Sequence, residues 1–263
     1  MSSTATSAKL DSPKVRVRDL CLQFERNGKQ EKILDHMDLT IQSGEFVCIV
    51  GTSGCGKSTL LHVLGGFLAP SSGSIEIDEE EVHGPDPRRI FVFQESGVFP
   101  WLNVEGNVGF GLSALPRQER TERVRHYIHL VGLGGFEHTF PQQLSGGMKQ
   151  RLEVARALAM KPDVLYMDEP FAGLDFITRM EMRKELLRIW QQERKTILFV
   201  THDIDEALQL ADRVVVLGPR PSTIQATLSV ELPRPRYLDD DGCLTLRANI
   251  LHLLGLGLHD SGS

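Results

Sequence analysis

The sequence has few of the features that mark secreted, membrane-spanning or nucleic-acid-binding proteins. Only four of its 263 residues are cysteines, and they form neither a CxxC pair nor a recognisable metal-ligand cluster: Cys21, Cys48, Cys55 and Cys243. We therefore expect reduced thiols in a cytoplasmic environment. No stretch approaches the roughly 18 consecutive apolar residues of a membrane-spanning helix, so the sequence predicts no span of its own.

Charge and the amino-terminal segment exclude further classes. The formal net charge is -6 and the sequence pI about 5.9, so no overall positive field indicates nucleic acid, and we predict no nucleic-acid partner. Residues 1–13 are rich in Ser, Thr and Ala but lack the apolar segment of a secretory signal. We expect them to form a flexible leader.

A glycine-rich loop follows a short apolar run, and this is the most informative stretch of the chain. The run Phe46–Val50 predicts a buried parallel strand, and Lys57–Gly66 predicts a helix ended by two glycines. Between them, residues 51–58 read GTSGCGKS and match GxxxxGK[ST] at every position. In this setting the backbone N–H groups can surround phosphate oxygens, Lys57 can reach the β- and γ-phosphates, and the Ser58 hydroxyl can bind Mg²⁺.

A pair of acidic residues at the end of another apolar run completes the expected phosphoryl-transfer site. The apolar run from Val164 to Met167 ends in Asp168 and Glu169. We interpret Asp168 as a ligand of Mg²⁺, direct or through water, and Glu169 as the residue that polarises the attacking water. An exposed strand end is the alternative, but two adjacent carboxylates there would repel each other.

The remaining patterns predict an α/β protein in which strands and helices alternate. Alternating residues from about Val15 to Gly44 predict antiparallel strands, and Ser74–Asp78 predicts another. Residues from about 95 to 161 show helical amphipathic patterns and predict an α-helical insert. After Gly218 four prolines interrupt the alternation, and Leu244–Leu258 predicts apolar helical turns that dock on the surface.

The stretch Leu144-Ser-Gly-Gly-Met-Lys-Gln-Arg151 resembles the signature sequence of ATP-binding cassette (ABC) ATPases, and it lies between the two phosphate motifs as in that family. By itself it also fits an ordinary helix start capped by Ser145. The resemblance implies a P-loop NTPase (RecA-like) core with an antiparallel β-subdomain and an α-helical insert. Gly173 and Met148 depart from residues common in the family, but neither departure removes a phosphate ligand.

The resemblance implies further roles for single residues. Gln94 resembles the Q-loop glutamine that reaches the metal, Asp175 the D-loop aspartate, and His202 the switch histidine that contacts the γ-phosphate. Phe24 resembles the aromatic residue that stacks on adenine, although it could also be a core residue. The implied catalytic residues are Lys57, Gln94, Glu169 and His202, and the implied metal ligands are Ser58, Gln94 and Asp168. The implied ATP-binding residues are Phe24, Gly51, Thr52, Ser53, Gly54, Cys55, Gly56, Lys57, Ser58, Thr59, Ser145, Gly146, Gly147 and Asp175.

The family resemblance also implies partners. A signature loop that serves the nucleotide of another subunit implies a head-to-tail dimer of two copies around two ATP molecules. The stretch Glu95–Phe110 resembles the nitrate, sulfonate, taurine and bicarbonate branch of bacterial ABC importers. There Phe99, Pro100 and Trp101 would line the groove for a membrane permease, although Trp101 could instead belong to the core of the insert.

This branch implies an ATPase at the cytoplasmic face of the inner membrane that works with permease subunits and a periplasmic or lipid-anchored substrate-binding protein. The alternatives are a lipid or drug exporter, a DNA-maintenance or translation ABC protein, and a nucleotide-gated regulatory module. Only about fifty residues separate Gln94 from Leu144, too few for the coiled-coil arms of DNA-maintenance members at a rise of about 1.5 Å per residue. We predict the domains as an ABC ATPase domain over residues 14–220, with the insert at about 95–161, and a carboxyl-terminal extension over residues 221–263.

Overall fold

The computed structural model describes residues 12–26, 28–94 and 97–256. Its strands are β1 (Val15–Arg26), β2 (Lys29–Ile41), β3 (Phe46–Gly51), β4 (Ser72–Ile77), β5 (Glu80–Glu81), β6 (Arg89–Val92), β7 (Val164–Asp168), β8 (Thr196–Thr201), β9 (Arg213–Leu217) and β10 (Ile224–Ser229). Its α-helices are α1 (Lys57–Leu64), α2 (Val104–Val108), α3 (Arg117–Leu130), α4 (Gly146–Ala159), α5 (Phe176–Glu193), α6 (Ile204–Leu210) and α7 (Asp241–Leu253). Most of the predicted leader lies outside the described residues.

The described residues divide into two compact units. The phosphate-loop unit consists of residues 12–85 and 200–256, and the helical unit consists of residues 86–199. The helical unit extends beyond the insert expected at about 95–161 because it also contains β6, β7 and α5. The predicted boundary between an ABC domain (residues 14–220) and a carboxyl-terminal extension (residues 221–263) does not coincide with the boundary between these two units, and it remains a prediction.

The phosphate-loop unit contains an antiparallel sheet with the strand order β2-β1-β4-β5. Residue alternation in β2 produces the buried face of this sheet, because Met37, Leu39 and Ile41 are buried and the residues between them are exposed. In the same unit β3 pairs in parallel with β9, and every residue of β3 is buried. This confirms the buried parallel strand predicted before the glycine loop.

The carboxyl-terminal part of the phosphate-loop unit contains a strand that the sequence analysis did not predict. Strand β10 pairs antiparallel with β9, with Ala226 opposite Val216 and Leu228 opposite Val214. Buried Arg236 then ties the following segment down, since its guanidinium donates to the carbonyls of Leu208 at 2.7 Å and Val230 at 2.7 Å. Helix α7 packs near α6; it begins three residues before the helical stretch predicted from Leu244 and ends at Leu253, and Leu258 lies outside the described residues.

In the helical unit, helices α2, α3 and α4 pack together as the predicted insert. Strands β6 and β7 pair in parallel, and β8 is the next neighbour of β7. Residues Val164, Leu165, Tyr166 and Met167 of β7 are fully buried, whereas Asp168 at its carboxyl end is partly exposed. Apolar burial therefore ends at the residue where the acidic pair begins. Across the described ranges, none of the helices combines the length and the apolar character needed to cross a bilayer.

Candidate functional site

The glycine loop has the geometry of an anion cradle. It connects β3 to α1, and the backbone φ angles of Gly54 and Gly56 are 75° and 116°, in the left-handed region that favours glycine. Helix α1 begins after Gly56 without any side-chain cap, so the N–H groups of its first turn have no partner within the helix. These donors and the positive end of the helix dipole suit phosphate oxygens.

The Lys57 side chain is folded back into the loop that precedes it. Lys57 is only 6% exposed, and its Nζ donates to the carbonyl oxygens of Gly51 at 2.9 Å and Thr52 at 3.1 Å. The ammonium group of Lys57, at the end of the loop, is thus tied back to the first two residues of the loop. Of the other predicted loop residues, Cys55 and Gly56 are buried, Thr59 is partly exposed, and Thr52, Ser53, Gly54 and Ser58 are exposed.

Ser222 supports this loop from behind, and sequence reasoning missed it. Its buried hydroxyl lies within hydrogen-bonding distance of the carbonyls of Cys55 and, at 3.0 Å, Gly218. Its backbone N–H also donates to Ile33 at 2.9 Å. Ser222 therefore joins the glycine loop to β2 and to the end of β9. No local pattern around Ser222 indicates its contact with Cys55, because the two residues are 167 positions apart in the sequence.

His202 and Phe24 lie in the same unit as the glycine loop. His202 is exposed directly after β8, and the turn beside it is fixed by Asp203, whose carboxylate accepts from the N–H of Asp205 at 2.9 Å. Buried Thr201 donates its hydroxyl to Glu206 at 2.7 Å. The Phe24 side chain on β1 is 42% exposed, so the alternative that it is a core residue does not hold.

The other predicted site residues lie in the helical unit. Gln94 follows β6 and is exposed, while Asp168 and Glu169 at the end of β7 are partly exposed. Glu169 has a φ of 45°, a left-handed conformation that is uncommon for a residue with a Cβ. Such strained residues concentrate at functional sites. Asp168 and Ser58 offer the hard oxygen donors that Mg²⁺ prefers.

The structure brings the signature loop and the D-loop together. Ser145 caps α4 by accepting from the N–H of Met148 at 3.3 Å, as predicted. Asp175 caps α5 in the same way, accepting from Thr178 at 3.1 Å. A side-chain hydrogen bond from Thr178, together with this backbone one, lowers the pKa of Asp175, so the carboxylate is ionised at neutral pH. A Cβ added to Gly147 would lie 2.6 Å from Thr178 Cγ2.

Gly147→Ala is therefore expected to destabilise the chain by about 1–2 kcal/mol, because the added methyl group overlaps a β-branched side chain with little rotational freedom. Chemical denaturation measures the effect. Gly146→Ala is the matched control, since its added Cβ would lie 3.4 Å from the nearest side chain. Thr178→Ser removes the Cγ2 methyl group and should restore stability in the double variant; a double variant no more stable than Gly147→Ala would contradict the steric explanation.

A buried carboxylate and a partly exposed arginine form an ion pair beside Gly97. Glu153 on α4 is 1% exposed, and Arg156 Nη2 lies 4.0 Å from its Oε1. Arg156 also donates to the carbonyl of Gly97 at 2.6 Å. Burial raises the pKa of Glu153 to about 7, although the positive charge of Arg156 opposes the shift.

Stability should therefore depend on pH through Glu153. Because the pKa of the folded state lies above the ordinary 4.5, the protonated carboxyl group stabilises the fold at low pH, and this contribution disappears as pH rises through about 7. Glu153→Gln, a neutral isostere, should gain on the order of 3 kcal/mol relative to the unchanged chain between about pH 4.5 and 8. Urea unfolding at several pH values measures this difference, and parallel pH curves for the two proteins would contradict the assignment.

Comparison with known proteins identifies the family. The model of the family described as "ABC transporter" matches residues 34–172. The chain belongs to the ABC transporter family. An uncharacterized ABC transporter ATP-binding protein of Methanocaldococcus jannaschii is 46% identical over 92% of this chain and 91% of its own length.

Relatives with named substrates are similar over most of their length. A nitrate import ATP-binding protein of Synechococcus elongatus is 44% identical over 84% of each chain. An aliphatic sulfonates import ATP-binding protein of Bacillus cereus is 37% identical over 92% of this chain and 96% of that protein. These similarities confirm the resemblance to the importer branch.

A solved structure gives the same fold. A dimeric ATP-binding cassette in a post-hydrolysis state, bound to ADP and Pi, superimposes with a TM-score of 0.71 and 29% identity, covering 83% of this chain and 100% of that one. The predicted fold class is thus confirmed, and this ABC protein is an ATPase.

Proposed function

We propose that this ABC protein is the ATP-hydrolysing subunit of an importer for nitrate, an aliphatic sulfonate or a similar small anion. The similarity to the nitrate and sulfonate import proteins carries the proposal. Taurine and bicarbonate belong to the same range of candidates. Which anion is carried depends on integral membrane permease subunits and a periplasmic or lipid-anchored substrate-binding protein, which we propose as partners of this chain at the cytoplasmic face of the inner membrane.

We propose the following division of roles around Mg-ATP. Phe24 stacks on adenine, residues 51–59 bind the phosphates, and Lys57 neutralises charge on the β- and γ-phosphates. Glu169 accepts a proton from the attacking water, and His202 contacts the γ-phosphate. Ser58, Asp168 and Gln94 would hold Mg²⁺, which supplies charge neutralisation at the phosphates when bound.

We further propose that two copies close around two nucleotides, with Ser145, Gly146 and Gly147 of one copy facing the phosphates in the other. The exposed cap of α4 and its glycines support this role, because they place N–H donors at a helix start without a bulky side chain. Asp175 would cross the same interface. ATP binding then favours the closed dimer, and hydrolysis releases it.

An aromatic patch supports docking to a permease. It consists of Phe99, Trp101 and Phe110, and the ring of Phe99 lies 4.4 Å from that of Phe110 and 5.4 Å from that of Trp101. Trp101 is 68% exposed, which excludes the alternative that it belongs to the core of the insert. The guanidinium of Arg156 covers Phe99 at 4.8 Å.

Buried Asn107 fixes the loop that presents this patch. Its Oδ1 accepts from the N–H of Phe99 at 2.8 Å, and its Nδ2 lies within hydrogen-bonding distance of the carbonyls of Phe99, Leu102 and Asn103. The loop is therefore held rigid by a side chain that sequence reasoning missed. A rigid, exposed aromatic surface costs little entropy when a partner helix binds.

Trp101→Ala should weaken binding to membranes that contain the permease by at least about tenfold, because exposed tryptophans anchor interfaces. Binding of the purified chain to salt-washed membranes of the source organism measures the effect. Tyr237→Ala is the matched control, since Tyr237 is 63% exposed in the phosphate-loop unit. Equal loss in both variants, or none in Trp101→Ala, would contradict the docking surface.

Growth tests the proposed substrate class directly. Deleting the gene should abolish growth with nitrate as the nitrogen source or with an aliphatic sulfonate as the sulfur source, and spare growth on ammonium and sulfate. The unchanged gene should restore growth, whereas a gene for Glu169→Gln should not. Growth of the deletion strain on every one of these sources would contradict an importer of these anions.

A further inference from the structure

Two neighbouring register shifts interrupt the pairing of β1 with β2, one with an extra residue on β2 and one with an extra residue on β1. Together they bring polar side chains close to one another in the phosphate-loop unit. Leu20 pairs with Met37 and Leu22 with Leu34, so the single residue Cys21 lies opposite two residues, Asp35 and His36. A bulge of this kind re-aims side chains that would otherwise alternate between the two faces of the sheet.

The second irregularity brings Asp19 into the same cluster. Val17 pairs with Leu39 while Leu20 pairs with Met37, so here the extra residue is on β1. Asp19 and His36 have φ angles of 47° and 46°, and Asp19 Oδ1 accepts a hydrogen bond from Nδ1 of His36. This contact leaves Nε2 as the imidazole nitrogen directed to the other members of the cluster.

The distances between the three possible ligand atoms suit one metal ion. The Sγ of Cys21, a carboxylate oxygen of Asp35 and a ring nitrogen of His36 all lie within 4.8 Å of one another. Cys21 Sγ is 4.0 Å from Asp35 Oδ1, which is 3.6 Å from His36 Nε2. Ligand atoms of a tetrahedral zinc ion are separated by roughly 3.3–3.6 Å, so shifts of up to about 1 Å bring the three atoms to coordinating distance.

We propose that Cys21, Asp35 and His36 bind a divalent transition metal of the zinc type, with Asp19 as the positioning residue that orients the imidazole. A set of one sulfur, one nitrogen and one oxygen suits Zn²⁺ or Co²⁺ and disfavours Mg²⁺ and Ca²⁺, which prefer oxygen alone. A carboxylate on the far nitrogen of a metal-binding histidine is the usual outer support of such sites. Water would fill a fourth position.

Metal binding requires that Lys32 be displaced and that Cys21 and a protonated His36 each release a proton. Lys32 Nζ donates to the same Asp35 Oδ1 at 2.8 Å, so the metal displaces an exposed ammonium group from that oxygen. The Cys21 thiol loses its proton as the S–metal bond forms, and a protonated His36 loses the proton from Nε2. The cation would then link β1 to β2 three residues from Phe24.

Co²⁺ is the most direct probe, because a thiolate ligand gives an intense charge-transfer band in the near ultraviolet that oxygen and nitrogen ligands do not give. The metal-free full chain is titrated with Co²⁺, without nucleotide, and then with Zn²⁺ against a coloured chelator. We expect one metal per chain, a thiolate band, and loss of that band when Zn²⁺ replaces Co²⁺. Weak binding without the thiolate band would overturn the proposal.

Variants assign the ligands. Cys21→Ser should remove the band, and His36→Ala should weaken Zn²⁺ binding by at least about tenfold, whereas Asp19→Asn should weaken it less while keeping the band. Cys243→Ser and His83→Ala are matched controls in the same unit that should bind as the unchanged chain does. Equal Zn²⁺ affinity in Cys21→Ser and the unchanged chain would overturn the site. The spectrum of the unchanged chain tests the proposal even if a variant fails to fold.

Discussion

Lys57→Ala is expected to abolish ATP binding, with an affinity loss of at least about a hundredfold. The buried ammonium donates to Gly51 and Thr52, so it both shapes the glycine loop and supplies the charge closest to the proposed phosphates. Alanine removes both contributions at once. Isothermal titration calorimetry with Mg-ATP measures the loss.

The control for this result is Lys184→Ala, which removes an exposed lysine from α5. Thermal unfolding without nucleotide separates loss of the ligand site from loss of the fold. Lys57→Ala that is folded and binds ATP with full affinity would contradict the phosphate cradle.

Glu169→Gln is expected to slow ATP hydrolysis by about 100- to 1,000-fold while leaving ATP binding intact. The glutamine keeps the shape of the side chain but cannot accept the proton of the attacking water. ATP should then remain bound, and the closed dimer should accumulate. Single-turnover phosphate release and light scattering after size exclusion measure the two effects.

Glu181→Gln is the matched control, because Glu181 is an exposed carboxylate on α5. It should hydrolyse ATP at the rate of the unchanged chain and should not accumulate as a dimer. Unchanged turnover in Glu169→Gln would remove Glu169 from the role of base.

The sequence predicted the elements whose signals are local. The apolar run of β3, the glycines after it and the helix that starts at Lys57 lie within twenty residues, and each has a recognised spacing. The cap at Ser145 and the acidic end of β7 are also local patterns. For this reason the fold class and the family could be recognised from the sequence alone.

Features that depend on strand register could not be predicted in this way. The cluster of Cys21, Asp35 and His36 exists because one residue of β1 faces two of β2, and the sequence analysis had found no metal-ligand cluster among the cysteines. Strand β10 alternates regularly between half-buried and exposed residues, as an edge strand that pairs only with β9 should. The prolines on both sides of this short stretch led the sequence analysis to miss it.

Contacts between distant segments were missed for the same reason. Ser222 supports the glycine loop, and Asn107 supports the segment that carries Phe99. A serine or an asparagine is a common residue in turns, so its type alone does not indicate a buried supporting role. Only the packing of the chain shows which backbone groups these side chains reach.

The most direct test of the central claim is a disulfide cross-link between two copies. Ser53→Cys places a thiol in the exposed part of the glycine loop, and Ser145→Cys places one at the cap of α4; the four native cysteines are buried. With Glu169→Gln in both copies, mixing the two variants and adding ATP under mild oxidation should give a cross-linked dimer, and omitting ATP should give almost none. A dimer that forms equally without ATP, or no cross-link in its presence, would contradict an ATP molecule enclosed between the glycine loop of one copy and the signature loop of the other.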